Sequence, residues 1–360
     1  MNDLEPAIGT RIPAAALIRL ARPAQWSKSA FCLLGPFYGL RDLLRTGGDA
    51  MAIAQAAIVT AVAFALASSA CYVINDIVDR EADRLHPRKR TRPIASGQVP
   101  VKIAMVYAAA LTAGGLASLV LLPEPMRWWT ALALIAHVAN VLLYSAWLKH
   151  VAIADVMSLA LGFVLRMMGG CAAIGIEPTV WLLNVTFFLS MFLAFGKRLG
   201  ERRVLLAAQV GKPLAGGEGL AVAHRKVQKA YSDAFLQMAV VVTGVMTLGT
   251  YALYVQSRPE APVLGFNLLW LTILPATFGL FRAITALDSG LFDDPTELAW
   301  KDRAFQLAGA LFVALTLGVA IVEDKLPGRH TDPSPNGVAA IATPEQILSA
   351  RPEPTDRSSI

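Results

Sequence analysis

Long apolar stretches recur along this chain and restrict its fold more than any other feature. A stretch of about 18 or more such residues is long enough to cross a hydrocarbon core about 30 Å thick. Inside lipid, the backbone satisfies its hydrogen bonds only in helices or in closed barrels. We therefore predict an all-α polytopic membrane protein with nine transmembrane helices. The predicted spans are residues 26–44, 51–77, 102–122, 128–147, 151–175, 180–196, 234–256, 264–287 and 304–322.

The composition agrees with a membrane protein and argues against a soluble one. The 360 residues alone would suggest two soluble domains, but only 16% of them are charged, where a soluble chain has about 25%. Cys32, Cys71 and Cys171 lie far apart in apolar stretches, which is typical of small buried hydrophobic residues rather than of a zinc site. We expect no cleavable signal peptide and no nucleic-acid partner.

The distribution of Lys and Arg predicts the orientation in the membrane. Most loop Lys and Arg lie in residues 78–101, 148–150, 197–233 and 288–303, which alternate with loops that hold few. Because basic loops stay in the cytoplasm, we expect a multi-pass protein of the inner (plasma) membrane with these loops inside. The expected organisation is a cytoplasmic N-terminal segment (1–22), a membrane domain (23–322) and a disordered extracytoplasmic tail (323–360).

Charge is concentrated at the end of the second predicted span. The stretch NDIVDREAD contains Asn75, Asp76, Asp79 and Asp83. On one continuous helix they fall at about 0°, 100°, 40° and 80°, so they share one quarter of its circumference over about 12 Å. Aligned carboxylates repel one another, and we therefore expect a cation among them.

The residues alone leave two interpretations of this acidic face open. In the first, the carboxylates pair with the neighbouring Arg80, Arg84 or Lys89 and only end a membrane helix. In the second, they hold one or two Mg²⁺ ions, which favour a few carboxylate oxygens together with substrate phosphates. A diphosphate bridged through Mg²⁺ would then meet the basic run that contains Lys89, Arg90 and Arg92.

The same stretch resembles a motif of a known family. NDIVDREAD followed by HPRKRTRPIASG, residues 75–83 and 86–97, resembles the motif NDxxDxxxD, with its trailing RPxxSG, of the UbiA superfamily of intramembrane prenyltransferases. The resemblance extends over most of residues 20–322. It implies nine helices around a central cavity open to the cytoplasmic side. It also implies that Asp76, Asp79 and Asp83 are catalytic and, with Asn75, hold the cofactor Mg²⁺.

A departure from the family pattern indicates one branch. Most members carry a second motif, DxxxD, after the sixth helix, but this chain has FGKRLGERR (195–203), without aspartate. With RPAQWSK (22–28), YSAWLKHVAIAD (144–155), HRKVQKAYSDAFL (224–236) and DPTELAWKDRAFQLAG (294–309), it resembles the decaprenyl-phosphate phosphoribosyltransferase branch. Ser29 departs from that branch, whose usual QWxKN ends in Asn at this position.

The resemblance implies both the substrates and the residues that contact them. The donor would be phosphoribosyl diphosphate (PRPP) and the acceptor a polyprenyl phosphate. The predicted substrate-binding residues are Arg22, Gln25, Lys28, Lys89, Arg90, Arg92, Tyr144, Lys149, Asp155, Arg166, Lys197, Arg198 and Glu201.

Some of these residues have structural alternatives. Lys28 is equally expected to extend toward lipid headgroups, and Lys149 and Asp155 to form an ion pair. Arg166 is placed about 16 Å deeper than Asp155 by helical rise, where an arginine should face a cavity or a partner. Tyr231 is expected at the membrane interface.

We therefore expect an Mg²⁺-dependent membrane glycosyltransferase that forms polyprenyl-phosphoryl-5-phosphoribose and releases diphosphate. One alternative is a prenyltransferase that moves a polyprenyl chain from its diphosphate to an aromatic acceptor, which the missing second acidic motif disfavours. The other is a transporter, for which inverted repeats and broken helices would be expected. The chain length of the lipid and a homo-oligomeric state stay open.

Overall fold

The computed structural model describes residues 12–85, 89–209, 231–257, 266–289, 298 and 301–325. In chain order, their α-helices are α1 Ala14–Ala21, α2 Leu34–Arg45, α3 Ala50–Val78, α4 Arg80–Leu85, α5 Val101–Ser118, α6 Met126–Ala146, α7 Ala154–Ala173, α8 Val180–Gln209, α9 Asp233–Ser257, α10 Ile273–Asp288 and α11 Arg303–Lys325. Shorter 3₁₀ segments are Lys89–Thr91, Leu119–Leu121, Leu148–His150 and Leu268–Thr272, and a longer one is Pro23–Leu33. Most of the predicted tail and part of the basic stretch 224–236 lie outside the described residues.

Eight helices in the described part of the chain are long and apolar enough to cross a membrane. They are α3, α5, α6, α7, α8, α9, α10 and α11, with α5 and α10 each extended by a 3₁₀ turn. These correspond to eight of the nine predicted spans, so the all-α polytopic fold is confirmed. The count of nine stays a prediction, because residues 26–44 form the long 3₁₀ helix followed by α2 rather than one α-helix.

The 3₁₀ helix Pro23–Leu33 and the start of α2 pack closely against α7. A Cβ atom at Gly170 would overlap the carbonyl oxygen of Cys32, and one at Gly35 would overlap Cys171 Sγ. The 3₁₀ run is eleven residues long, whereas such helices seldom exceed about four residues except at strained or functional places. It begins directly after Arg22, whose φ of 51° is left-handed.

One end of the bundle collects many of the described charged side chains. We call it the charged end; it contains residues 79–85, 89–100, 147–153 and 197–203. There the segment after α4 folds back beneath α1 and α3, because Ile94 and Val99 are buried in a cluster with Leu20 and Val73. Gly97 allows this return, with φ of 78° and open space around its Cα. Arg92 is thereby fixed beside the end of α3.

The acidic stretch is not the single continuous helix predicted above. α3 ends at Val78, Asp79 has φ −84° and ψ 3°, and α4 begins at Arg80. Arg84 Nε donates to the Ala95 carbonyl oxygen, which ties α4 to the returning segment. Hydrogen bonds of 2.8 Å from Asp79 N to Asn75 O and from Asp83 N to Asp79 O keep the four-residue register.

Candidate active site

Asp76 and Asp83 converge on one arginine at the charged end. Both residues are 3% exposed. Arg92 Nη1 donates to Asp76 Oδ1 at 3.0 Å and to Asp83 Oδ2 at 2.7 Å. The two carboxylates therefore face a common point, as the shared face predicted, although α3 and α4 are separate helices.

Arg22 gives Asp76 a second cationic partner. Its Nη2 donates to Asp76 Oδ1 at 2.6 Å, and its guanidinium lies 5.1 Å from the ring centre of Tyr72. Ser69 fixes this corner, because it accepts from Trp26 Nε1 at 3.0 Å and donates to the Ala21 carbonyl at 2.7 Å. The left-handed backbone at Arg22 is thus held in place at the site, where such strain commonly accumulates.

Asp79 is the most accessible carboxylate of the acidic face. Its side chain is 44% exposed and lies 3.8 Å from Lys149 Nζ. Lys89 Nζ lies 4.0 Å from Asp83 Oδ1 on the other side. The acidic face is therefore surrounded by four cations that come from three different segments of the chain.

The ion pairs expected from sequence neighbours are wrong for two of the three cations. Arg80 and Arg84 both bind Glu81 rather than the aspartates, with shortest distances of 2.6 Å and 3.2 Å. The Arg80 hydrogen bond lowers the pKa of the Glu81 carboxyl. Only Lys89 contacts the acidic face as that interpretation expected.

Asp155 anchors a second, fully buried network. Arg198 Nη2 lies 3.2 Å from Asp155 Oδ2, and Tyr231 donates to Asp155 Oδ1 at 2.6 Å. The Tyr231 hydroxyl also accepts from the amide of Ile153, whose φ of 70° is unusual for a β-branched residue. Burial and the bond to Asp155 raise the pKa of Tyr231. The predicted ion pair between Lys149 and Asp155 is therefore wrong, and Tyr231 is a buried residue.

The three arginines of FGKRLGERR pair with carboxylates, most of them from other segments. Besides Asp155, Arg198 lies 3.3 Å from Glu201 Oε2 within the same stretch and hydrogen-bonds Tyr144. Arg202 and Arg203 both bind Asp233, at 2.8 Å and 2.9 Å. This part of α8 is therefore joined to α7 and α9 by ion pairs.

Arg166 lies deeper in the bundle, 6% exposed. It donates to Ser68 Oγ at 3.0 Å and to the Gly162 carbonyl at 3.1 Å, and its guanidinium lies 5.5 Å from the ring centre of Phe163. Ser68 Oγ is in turn 3.3 Å from His137 Nε2. As predicted for its depth, Arg166 has a partner from another helix, Ser68 of α3.

The structure thus separates the predicted substrate-binding residues into groups. Those at the acidic face are Arg22, Lys89, Arg92 and Lys149. Those in the Asp155 network are Tyr144, Asp155, Arg198 and Glu201. Arg166 is deep, and Lys197 is within Coulombic range of Tyr72. Gln25 and Lys28 are half-buried on the long 3₁₀ helix, and Arg90 is exposed.

Tyr72 is a neighbour of the acidic face that sequence reasoning missed. Its ring centre lies 5.1 Å from the guanidinium of Arg22, which binds Asp76. A signal was present, because Ser68, Tyr72, Asn75 and Asp79 share one face of α3 when the helical projection is carried back two turns.

The acidic face has the oxygen donors that Mg²⁺ prefers, but few of them. In the described ranges, no group of three or more His, Cys, Asp or Glu side chains is placed to hold a metal. Asp76 and Asp83 do direct oxygens at one cation. Mg²⁺ commonly takes one or two carboxylates and completes its shell with substrate phosphates and water, so this pair fits such a site.

The sequence is similar to those of proteins in a known family. The profile of the UbiA prenyltransferase family matches residues 43–305. A decaprenyl-phosphate phosphoribosyltransferase of Mycolicibacterium smegmatis is 32% identical over 317 residues, which cover 85% of this chain and 92% of that protein. Its namesake in Corynebacterium glutamicum is 31% identical over 303 residues, 83% of this chain and 85% of that protein.

The fold is also similar to that of a solved structure. A UbiA homolog from Archaeoglobus fulgidus, bound to DMAPP and Mg²⁺, superposes with a TM-score of 0.59 at 20% identity. The match covers 85% of this chain and 99% of that one.

Proposed function

This chain belongs to the UbiA prenyltransferase family, and from that premise we propose that it transfers the 5-phosphoribosyl group of PRPP to a polyprenyl phosphate such as decaprenyl phosphate. The products are polyprenyl-phosphoryl-5-phosphoribose and diphosphate. Relatives that carry the name of this activity are 30–32% identical over about 85% of the chain. We place the active-site loops on the cytoplasmic face of the inner membrane, where the basic loops are expected.

The observation that carries the proposal is the contact of Asp76 and Asp83 with Arg92, flanked by partly exposed cations. The side chains of Arg22 and Arg92 are each 29% exposed, and that of Lys149 is 26% exposed. Partly exposed cations beside buried carboxylates suit a ligand of mixed charge, a diphosphate with a divalent cation. Arg22, Arg92 and Lys149 are near enough to exchange a carboxylate oxygen for a phosphate oxygen.

In the reaction, an oxygen of the lipid phosphate attacks C1 of the ribose. The bond between C1 and the diphosphate oxygen breaks, and diphosphate leaves with its electron pair. Charge builds on the leaving oxygen, so donors fixed around it lower the barrier. Arg92 and Lys149 donate to the leaving diphosphate, and Arg22, which binds the same oxygen of Asp76 as Arg92 does, helps to orient it. The lipid phosphate is already anionic near neutral pH, so its attack needs no strong base.

Asp76 and Asp83 would hold Mg²⁺, joined by Asp79 and Asn75 as the substrate arrives. Bound there, Mg²⁺ would act as a Lewis acid toward the diphosphate. Asp76 and Asp83 would also keep Arg92 in place between turnovers. The role of the protein is therefore mainly to position two anionic substrates.

A turnover assay on purified protein in detergent tests the proposal. PRPP labelled in the ribose is offered with a polyprenyl phosphate and Mg²⁺, and label extracted into organic solvent is counted. Label in the lipid phase that disappears with EDTA supports donor, acceptor and metal together. Absence of transfer, with turnover of a prenyl diphosphate and an aromatic acid instead, would assign the chain to prenyl transfer.

A further inference from the structure

Two hydroxyl side chains of α8 differ from other buried hydroxyls of the bundle. Thr186 and Ser190 are 1% and 0% exposed, and neither Oγ has a hydrogen-bond partner within the described ranges. By contrast, Thr60, Ser68 and Thr130 each donate to the carbonyl four residues earlier. A buried polar group without a partner is costly. Thr186 and Ser190 are therefore suited to a polar ligand that the protein does not supply.

These hydroxyls lie at the same depth as Arg166. The contact of 3.2 Å between Arg198 and Asp155 aligns α8 with α7 near the charged end. From that contact, Arg166 is about 16 Å deeper along α7, and Ser190 and Thr186 are about 12 Å and 18 Å deeper along α8. The two hydroxyls therefore bracket the level of the buried guanidinium.

The hydroxyls also lie on the face of α8 that packs against α7 beside Arg166. Leu182 and Leu183 of α8 pack against a cluster that contains Met167, the next residue after Arg166 on α7. At 100° per residue, Thr186 and Ser190 fall between Leu182 and Leu183 around α8. Both hydroxyls are therefore turned toward this part of α7.

Arg166 brings an uncompensated positive charge to this space. Its described contacts are Ser68 Oγ, the Gly162 carbonyl and the Phe163 ring, and its Nε has no hydrogen-bond partner in the described ranges. None of those contacts is with a carboxylate. A buried arginine without a carboxylate needs another anion or a strongly polar ligand.

We propose that Arg166, Ser190 and Thr186 form a buried binding site for a phosphate monoester. This inference rests on the proposed function, in which each substrate carries such a group: the 5-phosphate of PRPP or the phosphate of the lipid. A guanidinium with hydroxyl donors matches the oxygens of a phosphate. Ser68, which binds Arg166, lies about 12 Å along α3 from Asp76, so this phosphate is held apart from the leaving diphosphate.

Direct binding to the purified protein tests the site without requiring turnover. Inorganic phosphate, ribose 5-phosphate and a polyprenyl phosphate are titrated separately, with intrinsic tryptophan fluorescence and thermal stabilisation as readouts. The variants are Ser190→Ala and Thr186→Val. Thr130→Val is the matched control, because Thr130 is 0% exposed and its hydroxyl already donates to the Met126 carbonyl.

We expect each α8 variant to weaken phosphate binding about tenfold, the effect of one hydrogen bond to a charged group. Weaker binding of ribose 5-phosphate would identify the donor as the source, and weaker binding of the polyprenyl phosphate would identify the lipid. Unchanged affinity for all three ligands, or an equal loss in Thr130→Val, would overturn the site. If phosphate binds there but PRPP is not turned over, the proposed function fails while the site remains.

Discussion

The acidic face and the basic end of α8 are charge-inverted versions of one another. On α3 and α4 the helices supply the carboxylates, and cations arrive from elsewhere; these are Arg22, Lys89, Arg92 and Lys149. On α8 the helix supplies the cations, and carboxylates arrive from elsewhere; these are Asp155, Asp233 and Asp288. Both arrangements join several helices at the charged end.

The two regions differ in the solvent exposure of their central ion pairs. Arg198 and Asp155 are 3% and 0% exposed in their side chains, whereas Arg92 is 29% exposed beside its buried carboxylates. A pair removed from water on both sides holds helices together and is costly to break. A cation that reaches solvent exchanges its partner more easily. The comparison therefore assigns exchange of ligands to the acidic face and cohesion to α8.

The largest expected effect is on turnover when the acidic face loses a charge. Asp79→Asn removes a carboxylate without removing volume, and the side chain is half-exposed, so the fold should persist. Asp76→Asn is a poorer test, because it removes the charge that both Arg22 and Arg92 bind and would therefore also lower stability. We expect Asp79→Asn to lower kcat/KM about a thousandfold, as for loss of a group that stabilises developing charge.

Glu81→Gln is the matched control for this prediction. Glu81 is a carboxylate two residues away, 68% exposed, and bound to Arg80 and Arg84 rather than to the acidic face. Its substitution should leave kcat/KM within about twofold, since surface ion pairs contribute little. Appreciable turnover by Asp79→Asn, or equal losses in both variants, would contradict a special role for this face.

The second expected effect is on stability, in the α8 region. Asp155→Asn leaves the buried Arg198 with Glu201 as its remaining counter-charge and should lower the free energy of unfolding by up to about 3 kcal/mol. Denaturation in mixed micelles measures this change. Replacing both partners, Asp155→Leu with Arg198→Met, should recover most of the stability, because two apolar residues avoid the unpaired charge.

The activity of this double variant shows whether Arg198 only joins helices or also contacts substrate. If Arg198 only joins helices, turnover recovers together with stability. If Arg198 contacts a substrate phosphate, as predicted from the sequence, stability recovers and turnover does not. The second result would place part of the α8 region in the active site and would contradict the division drawn above.

The third expected effect is on the binding of Mg²⁺ and PRPP at the acidic face, where Arg92 would exchange its carboxylate partners for a substrate phosphate. Arg92→Gln removes the cation that contacts both Asp76 and Asp83, so Mg²⁺ should bind the substrate-free protein about tenfold more tightly. The KM for PRPP should rise about tenfold, because a charge-assisted hydrogen bond to phosphate is lost. Mn²⁺ binding followed by electron paramagnetic resonance measures the first change. Arg80→Gln, a neighbouring cation that binds Glu81 rather than the acidic face, should alter neither value.

Sequence reasoning recovered the features that depend on local pattern. Hydropathy located eight spans, and the helical projection placed Asp76 and Asp83 on one face. It also placed Arg166 deep in the bundle, where an arginine needs a partner, and the structure supplies Ser68 of α3. These features follow from the period of a helix and from the exclusion of water by lipid, both of which can be read from residue order.

Features that depend on tertiary packing were not recovered. Asp76 is paired with Arg22, 54 positions away, and Asp155 with Arg198, 43 positions away. The sequence favoured nearer partners, because spacing along one helix says which side chains are available but not which other helix approaches. The contact of Arg84 with the Ala95 carbonyl, eleven positions away, was likewise not visible in the sequence.

The smallest expected effect is at Tyr231, which supports the α8 region from α9. Tyr231→Phe keeps the ring that stacks on Phe235, with centroids 5.6 Å apart, and removes only the hydroxyl. That hydroxyl donates to Asp155 and accepts from the strained amide of Ile153. Its loss should lower the free energy of unfolding by about 1–3 kcal/mol, toward the lower limit because Arg198 still neutralises Asp155.

Turnover separates the two possible roles of this tyrosine. If the Asp155 network is cohesive, Tyr231→Phe should leave kcat/KM within about twofold below the melting temperature while thermal stability falls by a few degrees. A tenfold fall in kcat/KM without loss of stability would instead connect Asp155 to the reacting substrates. The contrast between an exchanging acidic face and a cohesive α8 would then have to be abandoned.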